Sequence, residues 1–205
     1  MSKLKIYGVP LSRAFRALWC ANEIGIEYES VPTHFAGGGT RTPEFLSVNP
    51  NGKLPAIDLA GFKLSESMAI DFYLAKKFNS SLIGPTAEDE ALVLQWSFWA
   101  VYELERQLLT VWLNREFLPS EKRNSTAADD AIRQIQRPLG VLEKTLGKSN
   151  YLLGSNFSLA DLNVAAVIFW AKLGKMPLTG FPNIAMWADT CLSRPACEKA
   201  KPKFE

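Results

Sequence analysis

Leu54-Pro55-Ala56-Ile57, a turn at Ala60-Gly61, then Leu64-Ser65-Glu66-Ser67-Met68-Ala69-Ile70: the reading of this stretch decides the fold. It reads as a proline that starts a short strand, a return strand, and a helix that opens on polar residues. Asn51-Gly52 and Ala60-Gly61 punctuate it as turn signals. A proline at the head of a strand leaves the backbone N–H and C=O of Leu54 free to pair with an extended peptide. With Ser65 or Glu66 near the helix start, the exposed N–H groups there form a ready carboxylate site. Backbone pairing plus a carboxylate pocket suits a short, charged peptide. The same residues read equally as an ordinary β-hairpin followed by a capped helix.

Working outward, Lys3-Leu4-Lys5-Ile6-Tyr7 alternates polar and apolar as a half-buried strand does. Gly8-Val9-Pro10 breaks it, and Ser12-Arg13-Ala14-Phe15-Arg16-Ala17-Leu18-Trp19 opens a helix. Glu27-Tyr28-Glu29-Ser30-Val31 reads as a second strand. Strand, helix, strand, loop, proline-led strand, strand, helix is βαβ followed by ββα, a thioredoxin-like order. Three motifs then keep family order and spacing: Tyr7-Gly8-x-Pro10-x-Ser12-x-x-x-Arg16, Asn49-Pro50-x-Gly52-Lys53-Leu54-Pro55-Ala56, and Glu66-Ser67-x-Ala69-Ile70-x-x-Tyr73-Leu74. The whole chain resembles a cytosolic glutathione S-transferase of the serine-type branch (theta, phi and related bacterial enzymes). The resemblance implies an α/β thioredoxin-like N-terminal domain followed by an all-α helical-bundle C-terminal domain. It also implies a glutathione transferase with glutathione as co-substrate and no further cofactor.

The totals agree with that class. The 205 residues allow one or two domains and a sizeable apolar core. A formal charge of +2 gives no bulk attraction to nucleic acid or a membrane surface. Met1-Ser2-Lys3-Leu4-Lys5 leads straight into a strand without a signal-peptide core, and the longest apolar run, Val164 to Ala171, falls short of the roughly 20 residues a bilayer requires. Cys20, Cys191 and Cys197 form neither a CxxC pair nor an even disulfide set, which fits a reducing cytoplasm and small buried side chains. The single His34 has no partner cluster, so no metal site is expected.

The composition changes near residue 80, at the turn-rich run Asn79 to Thr86. The expected division is residues 1–80, a linker at 81–88, and an all-helical domain at 89–205. Ala87 to about Glu116 reads as one long helix, with Trp96, Trp99, Leu104, Leu108 and Val111 at three- and four-residue steps. Glu121 to Leu146 reads as a second helix kinked at Pro138. A third begins at Ser158, a fourth spans Pro182 to Leu192, and Pro195 opens a terminal turn. Phe157-Ser158-Leu159-Ala160-Asp161-Leu162 spells a capping box with a hydrophobic staple, which makes Asp161 structural.

Glutathione thiol is mostly protonated at neutral pH, so the enzyme must stabilise its thiolate. Ser12 is the catalytic candidate: a serine is too weak a base to take the proton but can donate a hydrogen bond to sulfur, and the start of the first helix favours negative charge. An N-cap without chemistry is the plainer fate of such a serine. Tyr7 is the rival, assigned to packing. From the resemblance, the cysteinyl backbone pairs with Leu54, held by a cis Pro55; the γ-glutamyl end meets Ser67, with Glu66 near its amine; and Lys53, Thr40 and Arg41 take the glycyl carboxylate. The glycine-rich run Ala36 to Gly39 suggests a flap. Arg16 is expected to buttress the domain interface or a helix end. Leu11, Trp112 and Phe117 are expected to line an electrophile pocket between domains.

The leading function is conjugation of glutathione to small hydrophobic electrophiles. Glutathione-dependent peroxidase, dehalogenase or isomerase chemistry on the same site is one alternative. A non-catalytic interaction module, as in some translation and transcription factors of this fold, is another. A disulfide reductase is disfavoured, because Pro10-Leu11-Ser12-Arg13 carries no cysteine. Family members are mostly homodimers, and the aromatic-rich helix from Trp96 to Trp112 offers either a dimer surface or monomer core.

Overall fold

Alternation in the first strand carries straight into the sheet. In the computed structural model, which describes residues 3–78 and 80–203 (Ser80 by its backbone alone), β1 (Leu4–Tyr7) buries Leu4 and Ile6 and turns Lys5 outward. Asn79, read from the sequence as the start of the linker, lies outside the described residues. Helix α1 (Ala14–Ile24) buries every residue from Ala14 to Ala21 and stops on Gly25 at φ 78°, the left-handed position glycine takes at helix ends. The chain returns in β2 (Tyr28–Val31), parallel to β1 with Tyr7 opposite Val31. Then β3 (Ala56–Leu59) pairs antiparallel with β1, Tyr7 facing Ala56, and β4 (Phe62–Ser65) pairs antiparallel with β3. The sheet order is β2-β1-β3-β4, followed by a helix over Ser67–Phe78. This is the thioredoxin-like arrangement the sequence predicts.

One element of this unit goes beyond the sequence reading. The connection after β2, taken there as a loop, contains a helix, α2 (Pro43–Val48), so the Ser67–Phe78 helix is α3. Its signal was present: the Thr42 hydroxyl accepts from the Phe45 N–H at 3.2 Å, and Pro43 occupies the first turn, where its missing N–H costs nothing.

The second unit, Gly84–Ser193, is all helical. A Thr86–Asp89 capping box starts α4 (Ala87–Trp99). The chain stays helical through a π-helical stretch at Ala100–Glu105, α5 (Arg106–Trp112) and a second π-helical stretch at Leu113–Phe117. The single helix expected from Glu121 is two, α6 (Ser125–Gln134) and α7 (Gln136–Leu146). It begins late because Asn124 caps α6, its side-chain oxygen accepting from the Ala127 N–H at 3.0 Å. It breaks at Ile135, one turn before Pro138, because a proline offers no N–H to the carbonyl four residues back and its ring crowds that carbonyl. Helix α8 (Leu159–Leu173) is buried on all sides from Leu159 to Ala171, so the unit is built around it. Helix α9 (Pro182–Leu192) has its first N–H groups, at Asn183 and Ile184, bonded to the Glu143 carboxylate at 3.0 Å each.

The terminal helix α10 (Pro195–Ala200) does not join these helices, although the sequence reading ran the helical domain to residue 205. Residues from Arg194 onward group with the first unit, which otherwise ends at Ile83. The Asn22 amide donates to the Ala196 carbonyl at 3.2 Å, and Arg194 Nε donates to Glu23 at 2.9 Å, fastening α10 along α1.

Asp161 is fully buried at the start of α8. Its Oδ2 accepts from the N–H and hydroxyl of Ser158 (3.0 and 2.8 Å), and its Oδ1 accepts from the Leu152 N–H and the Trp187 indole (2.9 Å each). Burial pushes this carboxyl up and the hydrogen bonds hold it down. With every lone pair engaged by the fold, Asp161 is a structural tie. Ser158→Ala is therefore expected to lower unfolding free energy by about 1 kcal/mol, and Asp161→Ala by several times that, because it orphans four donors. Denaturant titration measures both; a Ser158→Ala loss approaching that of Asp161→Ala contradicts this division.

Candidate active site

The loop from Gly8 to Arg13 joins β1 to α1 and carries Ser12. Gly8 sits at φ 136°, its N–H donating to the Val31 carbonyl at 3.1 Å. A Cβ at Gly8 would lie 2.5 Å from the Ala14 side chain, 3.6 Å from Ser12 Oγ and 3.7 Å from the Leu54 side chain. The absent side chain is thus what lets Ala14 pack against Gly8, while Ser12 Oγ and the Leu54 side chain both lie within ordinary contact range of the same point. Ser12 is buried; its hydroxyl donates to the Val9 carbonyl at 2.7 Å and accepts from the Ala14 N–H at 3.1 Å. Oγ therefore sits at the first turn of α1, and its proton is held on a carbonyl until a stronger acceptor competes for it.

Tyr7 points elsewhere. Its ring meets Phe45 edge-on at 6.0 Å, along a cleft of about 520 Å³ that also takes in Val31, His34 and Glu44. None of the residues assigned to glutathione lines that cleft.

The second motif builds the neighbouring wall. Leu54–Pro55 is a cis peptide, and the ladder between β1 and β3 stops at Ala56. Among the described residues no hydrogen bond engages the N–H or C=O of Leu54. Asn49, buried and named from the sequence only as the first residue of this motif, organises the approach to it. Its side-chain NH₂ donates to the Lys53 carbonyl at 2.7 Å, its side-chain oxygen accepts from the Asn51 N–H at 3.1 Å, and its carbonyl accepts from the Gly52 N–H at 2.9 Å. Gly52 has φ 59°, and a Cβ there would lie 2.5 Å from the Arg41 guanidinium and 2.9 Å from the Thr40 carbonyl. Thr40, Arg41 and Lys53 are thereby brought together, with both cationic side chains exposed to solvent.

The third motif turns into α3. Glu66 is exposed at φ 72°, a conformation that a non-glycine residue holds only under constraint. Ser67 opens α3, and its buried hydroxyl accepts from Arg16 Nη1 at 2.9 Å. Arg16 is itself buried on α1, so its role within this unit is to hold Ser67. The sequence marked Arg16 in the motif but gave no sign of this partner, because the contact is made between residues distant in the chain.

Of the expected electrophile-pocket residues, Leu11 is half-buried in the α/β unit. Trp112 and Phe117 lie in the helical unit, their rings 4.5 Å apart, with Trp170 4.8 Å from Trp112. Gly174 packs against the Trp112 backbone, where a Cβ would come within 3.1 Å. Cys20, Cys191 and Cys197 are buried and form no disulfide among the described residues; burial pushes the Cys20 thiol well up and the Cys197 thiol to about 12. Neither of these two is a nucleophile at neutral pH. Among the described residues no group of His, Cys, Asp and Glu is placed to hold a metal, and no helix is long and apolar enough to cross a membrane.

Comparison with known proteins places the chain in a family. Residues 2–76 match the family model for the glutathione S-transferase N-terminal domain, and residues 104–195 match that for the C-terminal domain. A glutathione S-transferase of Arabidopsis thaliana is 30% identical over 208 residues, covering 97% of this chain and 95% of that protein. The chain belongs to the glutathione S-transferase family. Human elongation factor 1-gamma is 36% identical over 192 residues, covering 89% of this chain but 42% of that protein, so the transferase-like chain spans less than half of this relative's length. Among solved structures, the theta class glutathione S-transferase of Xanthomonas axonopodis pv. citri with glutathione bound superposes with a TM-score of 0.90 at 26% identity, covering 100% of this chain and 99% of that one.

Gly52→Ala tests the assembly of the Thr40, Arg41 and Lys53 group. The added methyl meets the Thr40 backbone as well as the Arg41 side chain in a left-handed conformation, so a stability loss of about 1–2 kcal/mol is expected, together with weaker retention on immobilised glutathione. Unchanged melting and retention contradict the close packing of Arg41 on this turn.

Proposed function

We propose that the protein is a glutathione transferase that holds the tripeptide on its α/β unit and presents the sulfur as a thiolate to a small hydrophobic electrophile. The observation that carries the reading is that Ser12 Oγ and the side chain of Leu54, whose backbone makes no hydrogen bond among the described residues, both lie within 3.7 Å of where a Gly8 Cβ would sit. An extended peptide paired to Leu54 has its cysteinyl side chain beside the start of α1. There the Ser12 hydroxyl exchanges its bond to Val9 for one to the anionic sulfur, and the first-turn amides add a favourable field. A lowering of the thiol pKa by one to two units is worth about 1.4–2.7 kcal/mol of thiolate stabilisation. The thiolate lone pair then forms the C–S bond, and the electrophile's leaving group departs with its electron pair; where the electrophile is an activated alkene, the adjacent carbanion takes a proton from water.

Around that centre, Ser67 and the amides opening α3 receive the γ-glutamyl carboxylate, the exposed Glu66 its amine, and Arg41 and Lys53 the glycyl carboxylate. Leu11, Trp112 and Phe117 supply apolar and aromatic surface for the electrophile. The assembly is a homodimer: Leu94, Phe98, Val101 and Tyr102 recur on one helical face and stay exposed, Phe98 at 70% and Tyr102 at 87%. The three free thiols fit a cytoplasmic location.

The 36% identity to elongation factor 1-gamma favours a second reading, in which this chain is an interaction module of the same fold. Retention on immobilised glutathione and turnover of a generic aryl halide separate the two, since a pure module has neither.

Within the enzyme reading, Ser12→Ala is expected to lose most conjugating activity while glutathione affinity changes only a few-fold. The pKa of the bound thiol, followed by thiolate absorbance, should rise by one or more units. Tyr7→Phe should leave both nearly intact, because its ring packs on Phe45. A silent Ser12→Ala with a crippled Tyr7→Phe transfers the catalytic role to the tyrosine. Size-exclusion mass measurement is expected to give a dimer that Phe98→Glu and Tyr102→Glu together convert to a monomer; a monomeric parent at micromolar concentration contradicts the dimer.

A further inference from the structure

Helices α1 and α3 meet through two pairs of residues spaced four apart, Arg16 and Cys20 on α1, Ser67 and Asp71 on α3, so each pair shares one helix face. Two rungs join them: Arg16 Nη1 donates to Ser67 Oγ at 2.9 Å, and Cys20 Sγ approaches the Asp71 carbonyl at 3.6 Å. All four residues are buried, Asp71 completely. Among the described residues neither Asp71 carboxylate oxygen has a hydrogen-bond donor, which for a fully buried acid is a cost that packing alone does not explain. Helix α3 buries Ile70, Leu74 and Ala75 completely as well, so apolar burial is available to seat it without the Asp71 side chain.

We infer that Asp71 is a positioning residue for the glutathione site, its carboxylate orienting the Arg16 guanidinium so that Arg16 fixes the Ser67 hydroxyl toward the γ-glutamyl carboxylate. The inference rests on the glutathione reading above. Burial drives the Asp71 carboxyl upward, and the Arg16 cation is the influence that opposes it. On the other side, burial, with the charges of Asp71 and Glu23 added to it, pushes the Cys20 thiol well up. The charge that opposes burial at this carboxylate is thus the Arg16 cation, which donates to the hydroxyl at the head of α3. Removing the carboxylate leaves Arg16 and Ser67 in place but frees the guanidinium to change its angle to Ser67. The raised acid also has a sign: a folded-state pKa above the unfolded value makes the ionised form unfavourable to folding at neutral pH, and this penalty disappears as pH falls through the unfolded value. Asp71 therefore weakens the fold at pH 7, and its presence there is explained by what it does for Ser67.

The test pairs Asp71→Asn with two peptides: glutathione, and 4-aminobutyryl-cysteinylglycine, which lacks only the γ-glutamyl α-carboxylate. Calorimetric titration is expected to show Asp71→Asn weakening glutathione binding by about tenfold, the scale of one misaligned charge-assisted bond, while binding of the shortened peptide changes less than about twofold. Thermal stability at pH 7 should be equal to or above the parent's, and any gain should vanish at low pH. A loss of the same size with both peptides, or a lowered melting temperature at pH 7 as the main effect, makes Asp71 merely structural and overturns the inference. An unchanged glutathione affinity overturns it too. A parent protein that binds neither peptide removes the glutathione reading itself, and this inference with it; a parent that binds glutathione normally beside an unaffected variant removes only the role of Asp71.

Discussion

The α/β unit depends on a ladder that ends early. Pro55 has no N–H to continue the pairing of β1 with β3, so the pairing stops at Ala56 and the peptide groups of Leu54 are left without partners among the described residues. A buried unsatisfied backbone is costly, but one at the edge of a site is a standing offer to a peptide. Everything near it maintains that edge. Asn49 ties down residues 49–53, Gly8 withholds a side chain where Ala14 packs against it, and Gly52 withholds one where Arg41 packs.

Two helix starts supply the polar half of the site. Both α1 and α3 begin beside this edge with a serine in the first turn or just before it, and the two serines are held differently. Ser12 is bonded to its own loop, through Val9 and Ala14, and can turn its hydrogen bond from Val9 to a better acceptor. Ser67 is held from another helix, by Arg16, which favours a fixed geometry over an exchangeable one. That contrast matches the roles proposed for them, reaction at sulfur for Ser12 and anchoring for Ser67. The helical unit, built around the wholly buried α8 and tied at its start by Asp161, is stabilised independently of this polar chemistry.

Much of this was legible in the sequence because it is written in local signals. Strand alternation, the Asn-Gly and Ala-Gly turns, Pro55, and the Ser158–Asp161 cap each depend on residues a few positions apart, and each appears in the structure where the pattern put it. What was not legible depends on distance. The Arg16–Ser67 bond spans 51 positions, and the attachment of α10 to α1 spans more than 170, so no periodicity announces either. Helix α2 was missed although Thr42-Pro43 is a recognisable start, because three glycines upstream drew the whole segment toward a loop. The break at Ile135 was displaced from Pro138 because a proline disturbs the turn before it. The strained backbone of Glu66 leaves no trace in composition, since its side chain would be unremarkable at any other φ.

The central claim is that the open edge at Leu54 holds a peptide whose sulfur lies at Ser12. A crystal structure of this chain with glutathione bound tests it most directly. The account requires the cysteinyl N–H and C=O of glutathione to pair with Leu54, and the sulfur to lie within hydrogen-bond reach of Ser12 Oγ, about 3–4 Å. A tripeptide bound away from Leu54, or one whose sulfur is held by the Tyr7 hydroxyl with Ser12 still bonded to Val9, would contradict it.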